Sequence, residues 1–165
     1  MKYAALIIAV IIFNLSILGC SDSGEKVQAM PTKPAKAANP NGLSDFEMDH
    51  GIGPIKEAIN LSESIDVALA TKGKKTFETK CFQCHRVDSK LVGPPLFDVT
   101  LRRKPEYILN MMMNPEGMIQ KHPEAKKLFA QYLTPMANQN LTKNEALSIL
   151  EYLRKTGKEA RKGNL

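Results

Sequence analysis

The sequence has few of the residues that cross-link a small domain. It contains three cysteines in 165 residues. Cys81 and Cys84 lie close together and Cys20 is left over, so no framework of structural disulfides can form. The length is that of one domain with some extra tail. The shortage of cysteine therefore excludes a disulfide-stapled scaffold and leaves the thiols for other chemistry.

Acidic residues are also in short supply, with 17 against 23 basic residues and a formal net charge of +6. Together with the complete absence of tryptophan, this balance is compatible with a small domain that meets an acidic partner. Solvated lysines commonly give the same excess, so charge alone does not identify the partner. We expect neither a nucleic-acid partner nor a small-molecule substrate.

The N-terminal apolar run is too short for an ordinary membrane-spanning helix. It extends from Ala4 to Leu18, interrupted by Asn14 and Ser16, which is about 15 residues where a span needs roughly 20. The ending Ile17-Leu18-Gly19-Cys20 matches a lipobox and resembles a bacterial lipoprotein signal peptide. We expect residues 1–19 to be removed and Cys20 to be acylated, which would hold the protein on a membrane at the periplasmic side of the cell envelope. A plain N-terminal transmembrane anchor is the alternative.

Cys81, Cys84 and His85 form the pattern C-x-x-C-H, the attachment signature for a c-type haem. Two thiols three positions apart can add to the two vinyl groups of one porphyrin, and the adjacent imidazole then lies under the iron. A zinc ribbon would need a second cysteine or cysteine–histidine pair, and a thioredoxin-like site would need a preceding strand. Neither is present, so the sequence predicts one covalent haem c with His85 as the proximal ligand.

The segments around the motif differ in composition. Residues 20–60 read as a lipid-anchored flexible linker, because prolines at 31, 34 and 40 oppose helix formation. Its end, from Phe46 to Leu61, is rich in glycine and proline, and we expect it to pack loosely, with His50 exposed. Residues 61–158 form the predicted domain, and residues 159–165 form a basic tail. We expect the end of the chain to fray from Thr156 onward.

Helical periodicity recurs along the domain. A first helix is predicted from about Ser62, capped by Ser62 or Ser64, and it contains Gly73, which marks either a helix end or a close approach by another element. The remaining predicted helices are Pro105–Met113, Pro123–Tyr132 and Thr142–Lys155, the last with Thr142 as its cap and Glu145 completing a capping box.

Gly73, Phe77, Cys81, Cys84 and His85 together resemble the corresponding residues of the class I c-type cytochromes. The resemblance implies an all-α, cytochrome c-like fold of about four to five short helices around one covalently attached haem, preceded by a flexible tether. In that fold the last helix would cross the first at Gly73.

The same family supplies further expectations. Gly93-Pro94-Pro95-Leu96 looks like its Gly-Pro-x-Leu loop, in which the Pro94 carbonyl would accept a hydrogen bond from the His85 Nδ1–H. Tyr152 resembles the aromatic residue at its helix crossing, beside Phe77. Met136 corresponds to its distal ligand, although Pro135 precedes this methionine here and the family commonly has proline after it.

The distal ligand has competitors. Met111, Met112 and Met113 lie on an amphipathic helix, where methionine more often fills a core. Met118, in a predicted loop, is one alternative to Met136, and His122, which would give bis-histidine iron, is another.

With both axial positions filled by protein, the predicted function is electron transfer between periplasmic or membrane redox partners, without catalytic residues. An acidic docking surface would meet the cations near the motif: Lys72, Lys74, Lys75, Lys80, Arg86 and Lys90. The segments 50–54 and 102–107 are similar to those of small lipoprotein cytochromes that accompany nitrous oxide reductase. The alternative is a haem enzyme or gas-binding sensor, peroxidase-like, with an open distal site.

Overall fold

A computed structural model of the chain describes residues 40–163, and these residues form seven helices and no strand. The helices are α1 (Asp45–His50), α2 (Val67–Lys80), α3 (Val99–Arg102), α4 (Pro105–Met113), α5 (Pro115–Lys121), α6 (Pro123–Tyr132) and α7 (Lys143–Arg161). The prediction of an all-α fold is confirmed, with more helices than expected. None of the helices within 40–163 is long and apolar enough to cross a membrane. The predicted signal peptide and Cys20 lie outside the described residues.

Local signals set several helix ends. Proline occupies the first position of α4, α5 and α6, where its missing N–H costs no helical hydrogen bond. The bounds of α4 and α6 are those predicted. At the start of α7 the predicted capping box is present: the Thr142 hydroxyl accepts from Glu145 N, and Glu145 Oε2 accepts from Thr142 N at 2.8 Å.

The crossing of α2 and α7 organises the fold. A Cβ atom at Gly73 would lie 1.8 Å from the Ser148 backbone oxygen, so only glycine permits this approach. Beside it, the rings of Phe77 and Tyr152 lie 5.4 Å apart at a tilt of 55°. The predicted reason for Gly73 is therefore confirmed. Buried residues of α4 and α7 complete the core at this crossing, among them Leu109, Ile149, Leu150 and Leu153.

The N-terminal end of α2 differs from the prediction. The helix begins at Val67, and the Asp66 side chain caps it by accepting a hydrogen bond from Leu69 N at 2.9 Å. Ser62 and Ser64, the predicted caps, instead bond to each other through their hydroxyls at 2.8 Å. Aspartate caps a helix as well as serine does. Because the cap is Asp66 and not Ser62 or Ser64, the helix begins later in the chain than the periodicity predicted.

The last helix is longer than predicted, and the fraying expected from Thr156 is wrong. Thr156 is buried and its hydroxyl donates to the Leu153 carbonyl. A Cβ at Gly157 would lie 2.9 Å from the Phe97 carbonyl oxygen, which shows how closely the helix packs there. Lys158 Nζ donates to the Glu63 carbonyl at 2.6 Å. These contacts extend α7 to Arg161, into the predicted tail.

Residues 43–61, here called the strap, pack tightly on α4, contrary to the expectation of loose packing. Leu43 and Ile55 are buried, and the wholly buried Asn110 side chain binds strap backbone. Its Nδ2 donates to the carbonyls of His50 and Ile55, each at 2.9 Å, and its Oδ1 accepts from Ile55 N at 2.9 Å. One amide side chain thus pairs three backbone groups of the strap, the carbonyl of His50 and both the N–H and the carbonyl of Ile55. The packed domain therefore begins near Leu43 rather than at residue 61.

His50 is also not simply exposed. Its Nδ1 lies 2.7 Å from Glu106 Oε2, and Glu106 Oε1 accepts from Ile59 N at 2.7 Å. Burial alone would raise the pKa of Glu106, but the hydrogen bonds from Ile59 N–H and His50 bring that pKa below its usual range. The carboxylate therefore fastens two points of the strap to α4.

Candidate cofactor site

The turn after α2 places the two thiols at one cleft. Cys81 ends the helix, its N–H donating to the Phe77 carbonyl at 2.8 Å. Cys84 N and His85 N then both donate to the Cys81 carbonyl, at 3.1 and 2.9 Å. This tight turn makes Cys81, Cys84 and His85 neighbours in the wall of the same cleft.

His85 is held by the loop that follows it. Its Nδ1 lies 3.1 Å from the Pro94 carbonyl oxygen, the contact predicted from the sequence, and Gly93 N donates to the Cys84 carbonyl at 2.8 Å. A Cβ at Gly93 would lie 2.4 Å from His85 Cε1, so the missing side chain makes room for the ring. Because the carbonyl can only accept, Nδ1 carries the proton and Nε2 keeps its lone pair.

The electrostatic environment also favours a neutral imidazole. Burial lowers the pKa of His85, and the hydrogen bond to the Pro94 carbonyl offsets only part of that effect. A neutral ring with Nδ1 protonated is the form in which histidine binds a metal. The geometry and the pKa therefore point to the same tautomer.

The cleft is large and mainly apolar, with an empty volume of about 1380 Å³ that includes its open mouth. Its walls come from α2, the loop after His85, and helices α3 to α7. Apolar lining residues include Leu96, Val99, Ile108, Met112, Ile119, Leu128, Phe129, Ile149 and Leu153. Such walls suit a large, flat apolar group.

Met136 lines this cleft together with Cys81, Cys84 and His85. It is half-buried, in the segment that joins α6 to α7. Leu133, in a left-handed conformation with φ of 55°, ends α6 and turns the chain into that segment. The cleft thus brings together all four residues that the sequence proposed for thioether attachment and iron binding.

Neither alternative distal residue is among those lining the cleft. Met118 is not in a loop, as expected, but in α5, where it is completely buried and its sulfur accepts from Ile52 N at 3.0 Å. His122 caps α6: its Nδ1 accepts from Glu124 N, and its Nε2 donates to the Met48 carbonyl at 3.1 Å. Both residues hold the strap and its neighbouring helices in place.

The described residues do not support a thiolate site of another kind. No group of three or more histidine, cysteine or acidic side chains within 40–163 could hold a metal ion. Burial raises the pKa of Cys81 to about 11, with only partial compensation from Lys80. Redox-active C-x-x-C thiols have lowered pKa values, so this cysteine does not match that class.

Sequence reasoning missed a polar corner of the cleft formed by Arg102, Arg103 and Tyr107. The Tyr107 hydroxyl is buried and has no hydrogen-bond partner within residues 40–163. The adjacent arginines in the sequence could have indicated a polar region. That they line this cleft together with Tyr107 is evident only from the fold. Apolar walls with a buried donor and cations at one corner fit a haem, which is an apolar ring that carries carboxylates.

Comparisons with known proteins agree with this geometry. The cytochrome c family model matches residues 70–157. The solved structure of cytochrome c from Rhodothermus marinus has 46% sequence identity, covers 70% of this chain and 99% of that chain, and gives a TM-score of 0.66. An engineered cytochrome c from the same organism, Rma TDE, has 46% sequence identity, and the match covers 68% of this chain and 96% of that chain with a TM-score of 0.64. The same engineered protein bound to a carbene intermediate gives a TM-score of 0.62. No curated protein matched the chain.

Proposed function

The chain belongs to the cytochrome c family, whose members carry covalent haem c, and on that basis we propose that it transfers single electrons between redox proteins. The observation that carries the proposal is the cleft in which Cys81, Cys84, His85 and Met136 meet. When bound there, the haem supplies a one-electron ferric–ferrous couple. The thiols of Cys81 and Cys84 would hold the porphyrin through thioether bonds.

His85 and Met136 are the residues that would bind the iron. Pro94 fixes the His85 ring with Nε2 available to the metal, and Met136 provides a thioether from another wall of the cleft. A histidine–methionine pair favours ferrous iron relative to two histidines. With both positions filled by side chains, small molecules gain little access to the iron, which suits a carrier.

A docking surface around the cleft mouth is the proposed meeting point with an acidic partner. Phe82 is 46% exposed and Phe129, in the cleft wall, is 40% exposed. The Arg86 guanidinium lies 3.6 Å from the centre of the Phe82 ring, and Lys90 Nζ lies 5.0 Å from that of Tyr132. Apolar contact surrounded by cations favours a brief, electrostatically steered complex.

Two of the six cations near the motif already have carboxylate partners. Lys80 lies 3.2 Å from Glu145, and Lys74 lies 3.8 Å from Glu78. The docking role is therefore assigned chiefly to Lys72, Lys75, Arg86 and Lys90. Adding salt should slow association with an acidic partner.

The N-terminal segment adds an anchor to this proposal. A lipid on Cys20 would keep the domain at the membrane, on the periplasmic side, where its partners are electron-transfer proteins of the envelope. Mass spectrometry of the mature N-terminus tests this: acylated Cys20 supports the lipoprotein, whereas an intact residue 1 in the membrane fraction supports a transmembrane anchor.

A terminal reductase such as nitrous oxide reductase is the proposed acceptor. The two segments that suggest it, residues 50–54 and 102–107, lie against each other through the contact between His50 and Glu106. Stopped-flow mixing of the reduced protein with nitrous oxide reductase should give fast reoxidation. Reoxidation no faster than with an unrelated periplasmic reductase would reject this partner.

A haem enzyme with an open distal site is the second candidate. Met136 lies in segment 134–139, whose hydrogen bonds within the described residues are all local. Gln139 donates to the Ala137 carbonyl, and Asn140 N, from the residue that follows the segment, donates to Asn138 Oδ1. Met136 is held by its packing against the core rather than by hydrogen bonds of its segment to a helix, and its departure from the iron would open the distal site. One engineered relative is bound to a carbene intermediate.

Redox titration with and without carbon monoxide separates the two candidates. An electron carrier should titrate reversibly with one electron and form no carbon monoxide adduct at neutral pH. Rapid formation of a ferrous carbon monoxide adduct in the unmodified protein would instead support the enzyme or sensor. The measurement uses the full chain with its haem attached.

A further inference from the structure

His122 joins the strap to α6 through both nitrogens of its ring. Its Nδ1 accepts from Glu124 N at 3.2 Å, and its Nε2 donates to the Met48 carbonyl at 3.1 Å. These two hydrogen bonds are here named the His122 bridge. Because a backbone N–H can only donate, Nδ1 must carry no proton when the bridge is formed. The bridge therefore requires a neutral imidazole.

The short helix α1, at the start of the strap, has little else to stabilise it. None of its residues is buried, and six residues are too few for a helix to be stable by itself. Its last residue, His50, is held by the carboxylate of Glu106. Ahead of that point, the hydrogen bond from His122 ties the Met48 carbonyl to the rest of the domain. A segment with few buried apolar contacts opens locally at low cost in free energy.

A second proton on the His122 ring would find no free acceptor. It would sit on Nδ1 and face the Glu124 N–H, so that two donors would oppose each other. The Glu124 carboxylate already accepts from Arg103 at 2.9 Å and from Lys127 at 2.6 Å. The His122 residue is only 1% exposed, so solvent does not reach the ring. A charged ring must therefore leave its buried position, which breaks both bonds of the bridge.

The surroundings of His122 also favour the neutral ring. The charged and titratable groups that surround it, from α1, α4, α5, α6 and the connecting turns, are Glu47, Arg103, Tyr107, Lys121 and Glu124. The Glu47 carboxylate accepts from Ser44 N at 2.9 Å rather than from the ring. Burial lowers the pKa of His122 below its ordinary value of 6.5, Arg103 lowers it further, and the hydrogen bond to the Met48 carbonyl offsets only part of this.

We propose that protonation of His122 breaks the His122 bridge and lets α1 unfold locally, so that the strap opens between Leu43 and His50 on mild acidification. The later part of the strap stays packed, because Ile55 N and Ile59 N are bonded to side chains of α4 and not to His122. The opening is a property of the haem-loaded domain and does not depend on the identity of the electron-transfer partners.

The pH range of this opening follows from proton binding. The folded-state pKa of His122 is lowered, so the open strap binds the proton more tightly than the closed strap. The stability that the bridge contributes is fully present above about pH 6.5 and is lost as pH falls toward the lower folded pKa. Within this interval the open population should rise about tenfold for each pH unit.

Hydrogen–deuterium exchange of the haem-loaded full chain, corrected for intrinsic rates, tests the proposal from about pH 7.5 to about pH 5. Met48 N and Gly51 N donate to carbonyls at the beginning of the strap and report on α1. Their protection should fall by about tenfold for each pH unit below about pH 6.5. Ile55 N and Ile59 N report on the later part of the strap and should keep their protection.

Two variants separate the bonds of the bridge. His122→Gln keeps a side-chain N–H for the Met48 carbonyl and does not titrate, so the protection of α1 should be the same at every pH in the range. His122→Asn keeps a capping oxygen for Glu124 N but is too short to reach Met48, so α1 should exchange rapidly at every pH. His50→Gln, which removes the other histidine at the strap, is the control and should retain the pH-dependent loss of protection.

Equal protection of α1 at both ends of the pH range in the unmodified protein would overturn the proposal. A pH-dependent loss that persists in His122→Gln would assign the opening to another group and also overturn it. If that variant does not accumulate, His122→Asn decides, since unaltered protection of α1 in it would show that the bridge does not hold the helix. Loss of protection at Ile55 and Ile59 in parallel with α1 would show that the strap detaches as a whole, against a local opening.

Discussion

Gly73 on α2 and Ser148 on α7 approach so closely that a Cβ on the glycine would lie 1.8 Å from the Ser148 backbone oxygen. The contact involves backbone rather than a movable side chain, so no rotamer change can relieve a clash. The interlocking of these two helices therefore depends on the missing side chain. Phe77 and Tyr152 pack beside the same crossing.

Gly73→Ala should destabilise the protein even though alanine is the better helix former. The gain in helix propensity is about 1 kcal/mol, whereas forcing atoms into a packed interface costs typically 1–3 kcal/mol and occasionally more. Because the clash at Gly73 is with backbone, the cost should lie at the upper end of this range, and denaturant unfolding of the haem-loaded protein should show a net loss of about 2 kcal/mol. Lys75→Ala, at an exposed position of the same helix, is the control and should change stability little. A Gly73→Ala variant as stable as this control would contradict the close crossing.

The distal ligand can be separated from a structural methionine by comparing two alanine variants. Met136→Ala should abolish the weak long-wavelength band of methionine-bound ferric haem and allow a carbon monoxide adduct on reduction. Met118→Ala should retain the band, because the Met118 sulfur accepts from Ile52 N and Met118 is not among the residues that line the cleft. It should instead lose about 2–5 kcal/mol of stability. Loss of the band in Met118→Ala with retention in Met136→Ala would reverse the assignment.

The sequence predicted those features that depend on neighbours along the chain. Proline at the start of α4 and α6 fixed their bounds, and the pairing of Thr142 with Glu145 fixed the start of α7. The C-x-x-C-H motif likewise indicated its own chemistry, since both thiols and the imidazole lie within five residues.

Features that depend on distant residues were missed. The strap looked like a loose segment because its partner, Asn110, is 55 residues from Ile55, and nothing local announces that one side chain satisfies its backbone. The end of α7 depends on Gly157 packing against Phe97. The unpaired hydroxyl of Tyr107 becomes visible only when the helices have closed the cleft around it.

Folding should depend on the covalent cofactor. The cleft leaves a large apolar surface of α2, α4, α6 and α7 without protein neighbours, and a domain of this size has little other core to compensate. A Cys81→Ala, Cys84→Ala double variant should therefore show strongly reduced helicity by far-ultraviolet circular dichroism and no cooperative unfolding. The haem-loaded protein with Met118→Ala provides the comparison, since it retains attachment but loses one core side chain. A well-folded, fully helical double variant would disprove this dependence.

The carboxylate of Glu106 makes the attachment of the strap sensitive to acid. Its folded-state pKa lies below the ordinary value of 4.5, so the unfolded chain binds the proton more tightly. The resulting stability is fully present above about pH 4.5 and is lost as pH falls through the lower folded pKa. Glu106→Gln should weaken the bonds to His50 and Ile59, cost about 1–3 kcal/mol at neutral pH, and flatten this part of the acid dependence. Urea unfolding measured from pH 3 to 7 tests both effects, with Glu57→Gln on the exposed part of the strap as the control. An acid profile of Glu106→Gln that parallels the unmodified protein at all pH values would show that Glu106 does not fasten the strap.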